Sequence, residues 1–146
     1  MDPQTLAEAS AAAMLDEDAA SRGMGIALVQ VRPGAARCRL MVRADHLNGH
    51  GICHGGVIFT LADTAFAVAC NSYNQRVVAQ HNSISYLAPA RSGEELIAEA
   101  VEVSRSGRSG IYDVTVTQGE TVVAVFRGAS RQVQGQHVPA EAEQSR

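Results

Sequence analysis

The chain has no lysine and no tryptophan, and its aromatic residues are three Phe and three Tyr among 146 positions. Without lysine, neither a Schiff-base mechanism nor a Walker A phosphate loop is available. The net charge is −3 and no block of basic residues occurs, which disfavours binding to nucleic acid through its phosphates. With so few aromatic side chains, a wide aromatic cage around a ligand is not expected.

Long apolar runs and a signal peptide are also missing. No run approaches the roughly 20 residues needed to span a bilayer, and residues 1–4 lack the basic segment that begins a signal peptide. The three cysteines, Cys38, Cys53 and Cys70, are odd in number and do not have metal-type spacing. They fit reduced, buried thiols, so we expect a cytosolic protein that does not bind membranes.

The pattern of apolar residues predicts one domain containing two helices and six strands. An Ala-rich segment predicts a helix at residues 5–20, and a long apolar run predicts a second at residues 57–71. Strands are predicted at residues 25–31, 36–42, 77–87, 95–104, 111–118 and 121–130. The resulting division is an N-terminal helix in residues 1–22, a main domain in residues 23–133 and a flexible polar tail in residues 134–146.

Only the second helix is apolar enough to cover the predicted sheet. A long antiparallel sheet wrapped around that single helix is the simplest packing and gives an α+β fold. One helix cannot cover all the apolar strand surface, so a monomer would expose a large patch. We therefore expect a homodimer or a homotetramer built as a dimer of dimers, with each site between two subunits.

The most informative segment is a glycine-rich turn, followed directly by the apolar helix, at residues 48–70. Asp63 is the only charged residue of that helix and lies too deep to cap it. A carboxylate among apolar side chains is costly unless it is paired or hydrogen-bonded. The turn ends at Gly55, where backbone N–H groups face outward at the positive end of the helix dipole. One element thus offers an amide for an oxyanion and a carboxylate for catalysis, although a solvated helix face and an ordinary helix-entry turn explain the same pattern.

Three histidines in the turn, His46, His50 and His54, are spaced four residues apart and invite interpretation as a metal site. Four-residue spacing aligns ligands only on a helix, and the glycines among these histidines argue against one. We therefore expect no metal here.

The run from Asn48 to Ser72, with the strand residues 83–90, resembles the PaaI-like group of hotdog-fold acyl-CoA thioesterases of the phenylacetate pathway. The resemblance covers roughly residues 23–133. It implies a hotdog fold and the hydrolysis of aryl-acyl-CoA thioesters, such as phenylacetyl- or hydroxyphenylacetyl-CoA, to free acid and CoA. It implies no cofactor, because coenzyme A is part of the substrate.

The resemblance also implies roles for single residues. Asp63 would be the nucleophile or general base, and the amide of Gly55 would donate to the oxyanion. Asn48 would polarise or position the acyl group or a water, and His54 would orient the substrate carbonyl or the loop. The residues expected to contact substrate are Gly56, Thr64, Tyr86, Ser104, Arg105 and Arg108.

Several alternatives stay open from the sequence. The two arginines lie in a Gly/Ser turn at residues 104–110, which either meets the CoA phosphates or is a solvated hairpin loop. Some relatives carry a water-positioning hydroxyl where this chain has Ala79, with Ser83 and Ser85 nearby. The rival functions are a hotdog enoyl-CoA hydratase or dehydratase that uses His54 with an acid, and an acyl-CoA-binding protein without turnover.

Overall fold

The structure is a computed structural model that describes residues 1–139. The helices are α1 (Pro3–Asp16), α2 (Ala19–Met24) and α3 (Gly55–Cys70), with a short 3-10 turn at Ala44–His46. The strands are β1 (Ala27–Arg32), β2 (Ala35–Met41), β3 (Val77–Tyr86), β4 (Glu95–Ser106), β5 (Ser109–Gln118) and β6 (Thr121–Gln132).

The six strands form one sheet in the order β1-β2-β4-β5-β6-β3, and every neighbouring pair is antiparallel. Burial alternates along β5, where Tyr112, Val114 and Val116 face the core. The helix α3 lies against this inner face. Its Leu61 is fully buried there and its Phe66 is almost fully buried. The α+β architecture predicted from the sequence, a sheet around one central helix, is confirmed.

The sheet approaches α3 closely at Gly128 of β6. A Cβ atom at this position would lie 2.7 Å from the Phe66 ring, so only glycine fits without displacing the ring. Phe66 packs against Phe126 and, at a ring-centroid distance of 5.8 Å, edge-on to Tyr112. These contacts fix the rotation of α3, and with it the direction in which its polar residues point.

Two predictions about the ends of the chain need correction. The helix predicted at residues 5–20 is two helices, because Asp18 caps a new helix start by accepting the Ser21 N–H at 3.0 Å. The predicted loose tail is held at its beginning, where Asn74 accepts the N–H groups of His137 and Val138, both at 3.0 Å. Residues 140–146 of that tail lie outside the described residues. None of the helices in residues 1–139 is long and apolar enough to cross a membrane.

Candidate active site

The start of α3 is arranged around a free backbone amide. His54 caps the helix, with its Nδ1 accepting the Gly56 N–H at 2.9 Å. A Cβ at Gly56 would lie 3.1 Å from that Nδ1, so Gly56 permits the close packing of the cap. The N–H of Gly55 makes no hydrogen bond within residues 1–139. This amide points outward at the positive end of the helix dipole, where it is suited to donate a hydrogen bond to an oxygen that develops negative charge.

Asn48 holds the loop that leads into α3. Its Oδ1 accepts the His50 N–H at 2.9 Å and the Ile52 N–H at 3.4 Å, which leaves the side-chain NH₂ as its remaining donor. Asn48 thus shapes the turn, and its role toward the acyl group or a water stays a prediction that its side-chain NH₂ could serve.

Tyr86, at the end of β3, packs directly on Gly55. Its hydroxyl donates to the Gly55 carbonyl oxygen at 2.8 Å, and its ring carbon Cζ would lie 3.0 Å from a Cβ placed at Gly55. The side chain is 50% exposed. It therefore positions the first residue of α3 and at the same time borders the space in front of it.

A cleft of about 540 Å³ opens beside these residues. Its polar groups come from Asn48, Gly55 and Tyr86, and most of the remaining lining is apolar. The apolar lining comes from Ile52, Cys53, Ile58, Leu87, Ala88, Pro89 and Ala90. An apolar cleft with a few convergent polar groups is the usual form of a small-molecule site.

Asp63 lies elsewhere, two turns further along α3. Its Oδ1 accepts a hydrogen bond from Nδ2 of Asn82, in β3, at 3.0 Å, while Oδ2 has no partner in the described part of the chain. Burial raises the pKa of the Asp63 carboxyl, the hydrogen bond from Asn82 lowers it, and the negative charge of Asp18 raises it. The net shift is upward, which makes the Asp63 carboxylate a stronger base than an exposed aspartate.

Asn82 is a residue that the sequence reasoning missed. The position expected for a water-positioning hydroxyl holds Ala79, with Ser83 and Ser85 nearby, but Asn82 is the residue of β3 that meets Asp63 of α3. The available signal was strand alternation: Ile84 is apolar and inward-facing, so the residue two positions before it shares that face. The Oδ1 atom of Asn82 is buried without a partner in residues 1–139, and it remains a potential acceptor beside Asp63.

Gly55 and Asp63 are too far apart to act on one carbonyl group within a single chain. They are eight residues apart in the same helix, a separation of about 12 Å at 1.5 Å per residue. A reacting carbonyl must lie about 3 Å from both the oxyanion donor and the attacking group. Within one chain this helix therefore cannot supply both parts to the same site, which agrees with the expectation that each site lies between two subunits.

The cysteine beside the cleft does not compete with Asp63 as a nucleophile. Burial raises the pKa of the Cys53 thiol to about 11, so it stays protonated at neutral pH. The pKa values of Cys38 and Cys70 are raised to about 12 for the same reason. All three cysteines are buried and unpaired.

The structure does not bring the other predicted substrate contacts to this cleft. Thr64 is only 5% exposed, and its hydroxyl donates to the Thr60 carbonyl oxygen at 2.8 Å. Ser104 and Arg105 belong to β4 and not to a loop, because β4 and β5 continue almost to the left-handed Gly107. The Arg105 guanidinium stacks on the Tyr73 ring at 3.7 Å, and Arg108 lies in the two-residue turn. This turn is near the C-terminal end of α3, opposite the Gly55 end.

The histidine spacing does not form a cluster. His46 is buried and accepts the Arg43 N–H through Nδ1, whereas His50 and His54 are exposed. No group of three or more His, Cys, Asp or Glu residues in residues 1–139 could hold a metal ion.

Comparison with known proteins places this geometry in a family. The family model described as "Thioesterase superfamily" matches residues 50–125. The chain is 41% identical over 127 residues to acyl-coenzyme A thioesterase PaaI of Escherichia coli, a match that covers 86% of this chain and 91% of that protein.

Solved structures give the same result. The structure of the E. coli PaaI protein from the phenylacetic acid degradation operon matches with a TM-score of 0.89 and 38% identity, over 91% of this chain and 97% of that chain. A Streptococcus mutans protein solved bound to acetyl-CoA matches with a TM-score of 0.74 and 26% identity, over 77% of this chain and 91% of that chain. The chain therefore belongs to the thioesterase superfamily, as a PaaI-like acyl-coenzyme A thioesterase with the hotdog fold.

Proposed function

We propose that the protein hydrolyses aryl-acyl-CoA thioesters of the phenylacetyl or hydroxyphenylacetyl type, at sites shared between two subunits. Asp63 of one subunit and the Gly55 amide of the partner subunit would act on the same thioester carbonyl. The observation that carries this proposal is the separation of about 12 Å between the two groups in one helix. A second subunit is the simplest way to bring one of each together.

The exposed edge of β3 supplies the interface. This ten-residue strand pairs only with β6 within the described residues, and its outer edge carries unpaired N–H and C=O groups. Natural proteins rarely leave such an edge open, since it pairs readily with another chain. Two copies joined antiparallel along β3 would form one continuous sheet with their α3 helices side by side.

The contacts of α3 with β3 set the register of this pairing. Gly55 lies against Tyr86, and Asp63 lies against Asn82. Ile84 lies midway between Asn82 and Tyr86 along β3. A twofold axis placed beside Ile84 would therefore pair Asn82 with the partner's Tyr86. The carboxylate of Asp63 then faces the partner's Gly55 across the two helices, and the cleft lined by Leu87 and Pro89 opens beside them.

Hydrolysis at such a site needs two kinds of group. The Asp63 carboxylate either attacks the thioester carbon or removes a proton from a water that does so. In both routes the carbonyl oxygen becomes negative and is stabilised by the Gly55 N–H at the helix N-terminus. The C–S bond then breaks, CoA leaves as a thiolate that takes up a proton, and water supplies the oxygen and proton that complete the free acid. Asn82 holds one oxygen of Asp63 and leaves the other free to react.

The acyl group would occupy the apolar cleft, and CoA would extend away from it. The acetyl-CoA bound in the S. mutans protein supports CoA binding by this fold. The side-chain NH₂ of Asn48 is placed to meet the acyl carbonyl or a water, and the half-exposed ring of Tyr86 offers an edge or face to an aromatic acyl group. The two arginines near the far end of α3 remain a prediction for the CoA phosphates, as does the cytosolic location.

A panel of acyl-CoA thioesters tests the proposed substrate. We expect kcat/KM for phenylacetyl- and hydroxyphenylacetyl-CoA to exceed that for acetyl- and palmitoyl-CoA. The reason is that the enzyme is expected to distinguish acyl groups mainly by how well each is positioned in the transition state. Thiol release is followed with a thiol-reactive dye at equal, subsaturating concentrations. A clear preference for palmitoyl-CoA would remove the aryl-acyl assignment and leave the thioesterase chemistry intact.

The same assays separate the two rival functions. Gain or loss of an enoyl chromophore without thiol release would support the hydratase alternative, and binding without either signal would support the acyl-CoA-binding alternative.

The assembly is tested by light scattering and by cross-linking. We expect a dimer or tetramer at micromolar concentration, and a mass near that of one chain, 15.4 kDa, would contradict the shared site.

Cross-linking tests the register. In the proposed register Ser83 lies opposite the partner's Ser85, so the double variant Ser83→Cys/Ser85→Cys should form a disulfide-linked dimer on oxidation. The single variant Ser83→Cys is the control. Its two copies would lie diagonally, about 8 Å apart, beyond the reach of a disulfide.

A further inference from the structure

Asn82 is the group that meets the Asp63 carboxylate inside the fold. Its Nδ2 donates to Oδ1 of Asp63 at 3.0 Å, which is the one hydrogen bond that this carboxylate accepts within residues 1–139. No arginine or histidine forms an ion pair with Asp63 in the same range. Asp63 is half-buried on an apolar helix, so its carboxylate has lost part of its contact with water and has a single neutral amide in exchange.

The orientation of the Asn82 amide matches an ionised Asp63. A carboxylate only accepts hydrogen bonds, so the NH₂ group of Asn82 faces it and Oδ1 of Asn82 faces away. In this orientation Oδ1 of Asn82 is buried without a partner in the described residues. A buried acceptor without a partner costs free energy, whereas a hydrogen bond to a charged oxygen is among the strong ones. The bond to Asp63 is therefore what holds the amide in this orientation.

The backbone keeps the two side chains at this distance. Asn82 pairs with Gly128 of β6 across the sheet. The Phe66 ring rests on Gly128, where a Cβ atom would lie 2.7 Å from it, and Phe66 follows Asp63 by about one helical turn. The helix α3 and strand β3 are thus held against each other at the point where Asp63 and Asn82 meet.

We infer that Asn82 is a positioning residue for hydrolysis, which keeps the half-buried Asp63 carboxylate ionised at neutral pH and so extends the reaction to lower pH. A protonated Asp63 can neither attack a carbonyl carbon nor take a proton from water. Burial raises the pKa of Asp63, and the hydrogen bond from Asn82 lowers it, because that bond is stronger to the charged form. The inference rests on the proposed function, since the group that Asn82 acts on is the proposed catalytic carboxylate.

The titratable groups around Asp63 do not take over this task. Asp18, in the α1–α2 connection, is itself acidic, and its negative charge raises the pKa of Asp63. Cys70, further along α3, is a neutral thiol at neutral pH, because burial raises its pKa to about 12. Among the described residues that act on the Asp63 carboxyl, Asn82 is thus the one that favours the charged form.

The variant Asn82→Leu removes the donor and replaces it with an apolar side chain of similar size. The ionised form of Asp63 then loses its hydrogen bond, its pKa rises, and the acid limb of the kcat–pH profile moves to higher pH. We expect a movement of about one pH unit, the size of effect that one hydrogen bond to a charged group has. The matched control is Thr115→Leu, the same kind of polar-to-leucine change at an exposed position of β5, which should leave the acid limb in place.

The titration of Asp63 itself separates this inference from the proposed function. The ¹³C chemical shift of its carboxyl carbon, assigned by comparison with Asp63→Asn, can be followed against pH without substrate. We expect its midpoint to rise in Asn82→Leu and to stay in Thr115→Leu, whether or not the protein hydrolyses the CoA esters tested. If Asn82→Leu does not fold, Asn82→Ala is measured instead. A midpoint that is unchanged or lower in the folded variant would overturn the inference, even where turnover is reduced.

Discussion

Replacing Asp63 by asparagine is expected to lower acyl-CoA turnover by about 10²-fold or more, the loss typical of removing a general base or nucleophile. The change keeps the size of the side chain and removes its charge. The variant can still accept the hydrogen bond that Asn82 donates at 3.0 Å, so we expect no loss of folding. The measurement is kcat for phenylacetyl-CoA, with circular dichroism and thermal melting to check the fold.

The control for this variant is Asp113→Asn. Asp113 is a carboxylate on the outer face of the sheet, where it pairs with Arg127 and its pKa is lowered mainly by the Arg127 hydrogen bond. Such exposed pairs contribute little to stability, and we expect wild-type turnover. Hydrolysis by Asp63→Asn at the wild-type rate would show that another group performs the reaction.

Replacing Gly55 by valine is expected to reduce kcat by about 10²-fold, in the range found when an oxyanion donor is lost. A Cβ at this position would already lie 3.0 Å from the Tyr86 ring, and the added methyl groups of valine would crowd the approach to the amide. The loss should fall mainly on kcat, since the amide contacts the oxygen most strongly in the transition state. Kinetics with subsaturating and saturating phenylacetyl-CoA separate kcat from KM.

The matched control is Gly49→Ala in the same loop. A Cβ at Gly49 meets nothing within 4 Å, and its backbone does not have a positive φ. We expect its turnover to stay within about twofold of wild type, as for a surface substitution away from structural features. Full activity in Gly55→Val would mean that the oxyanion is bound elsewhere.

Much of the fold could be predicted from the sequence because its signals are local. The apolar periodicity of α3 and the alternation along β5 each depend on residues close in the chain, and both elements are found. The break between α1 and α2 was missed because the run of alanines hides the cap at Asp18. The length of the β4–β5 hairpin was underestimated because its Gly/Ser content suggested a longer loop.

The site could be predicted only in part, for a physical reason. Gly55 and His54 were identified because the turn and the helix start are contiguous in sequence. The partner of Asp63 is Asn82, which comes from a strand 19 residues away, and its role depends on which face of β3 meets α3. A site between two subunits was expected from the apolar strand surface that one helix cannot cover, and the separation of Gly55 from Asp63 follows from helical rise. Which surface would bring the two subunits together depends on the order of the strands in the sheet, which the sequence does not display.

The shared site is tested most directly by mixing two inactive variants. Asp63→Asn and Gly55→Val subunits are unfolded together and refolded at equal concentration, so that random pairing makes half of the dimers mixed. Each mixed dimer has one site with an intact Asp63 and an intact Gly55 of the partner subunit, and one site that lacks both. We predict recovery to about one quarter of the wild-type specific activity, from variants that have about 1% or less when refolded alone. A mixture that is no more active than its separate components would contradict a site built from two subunits.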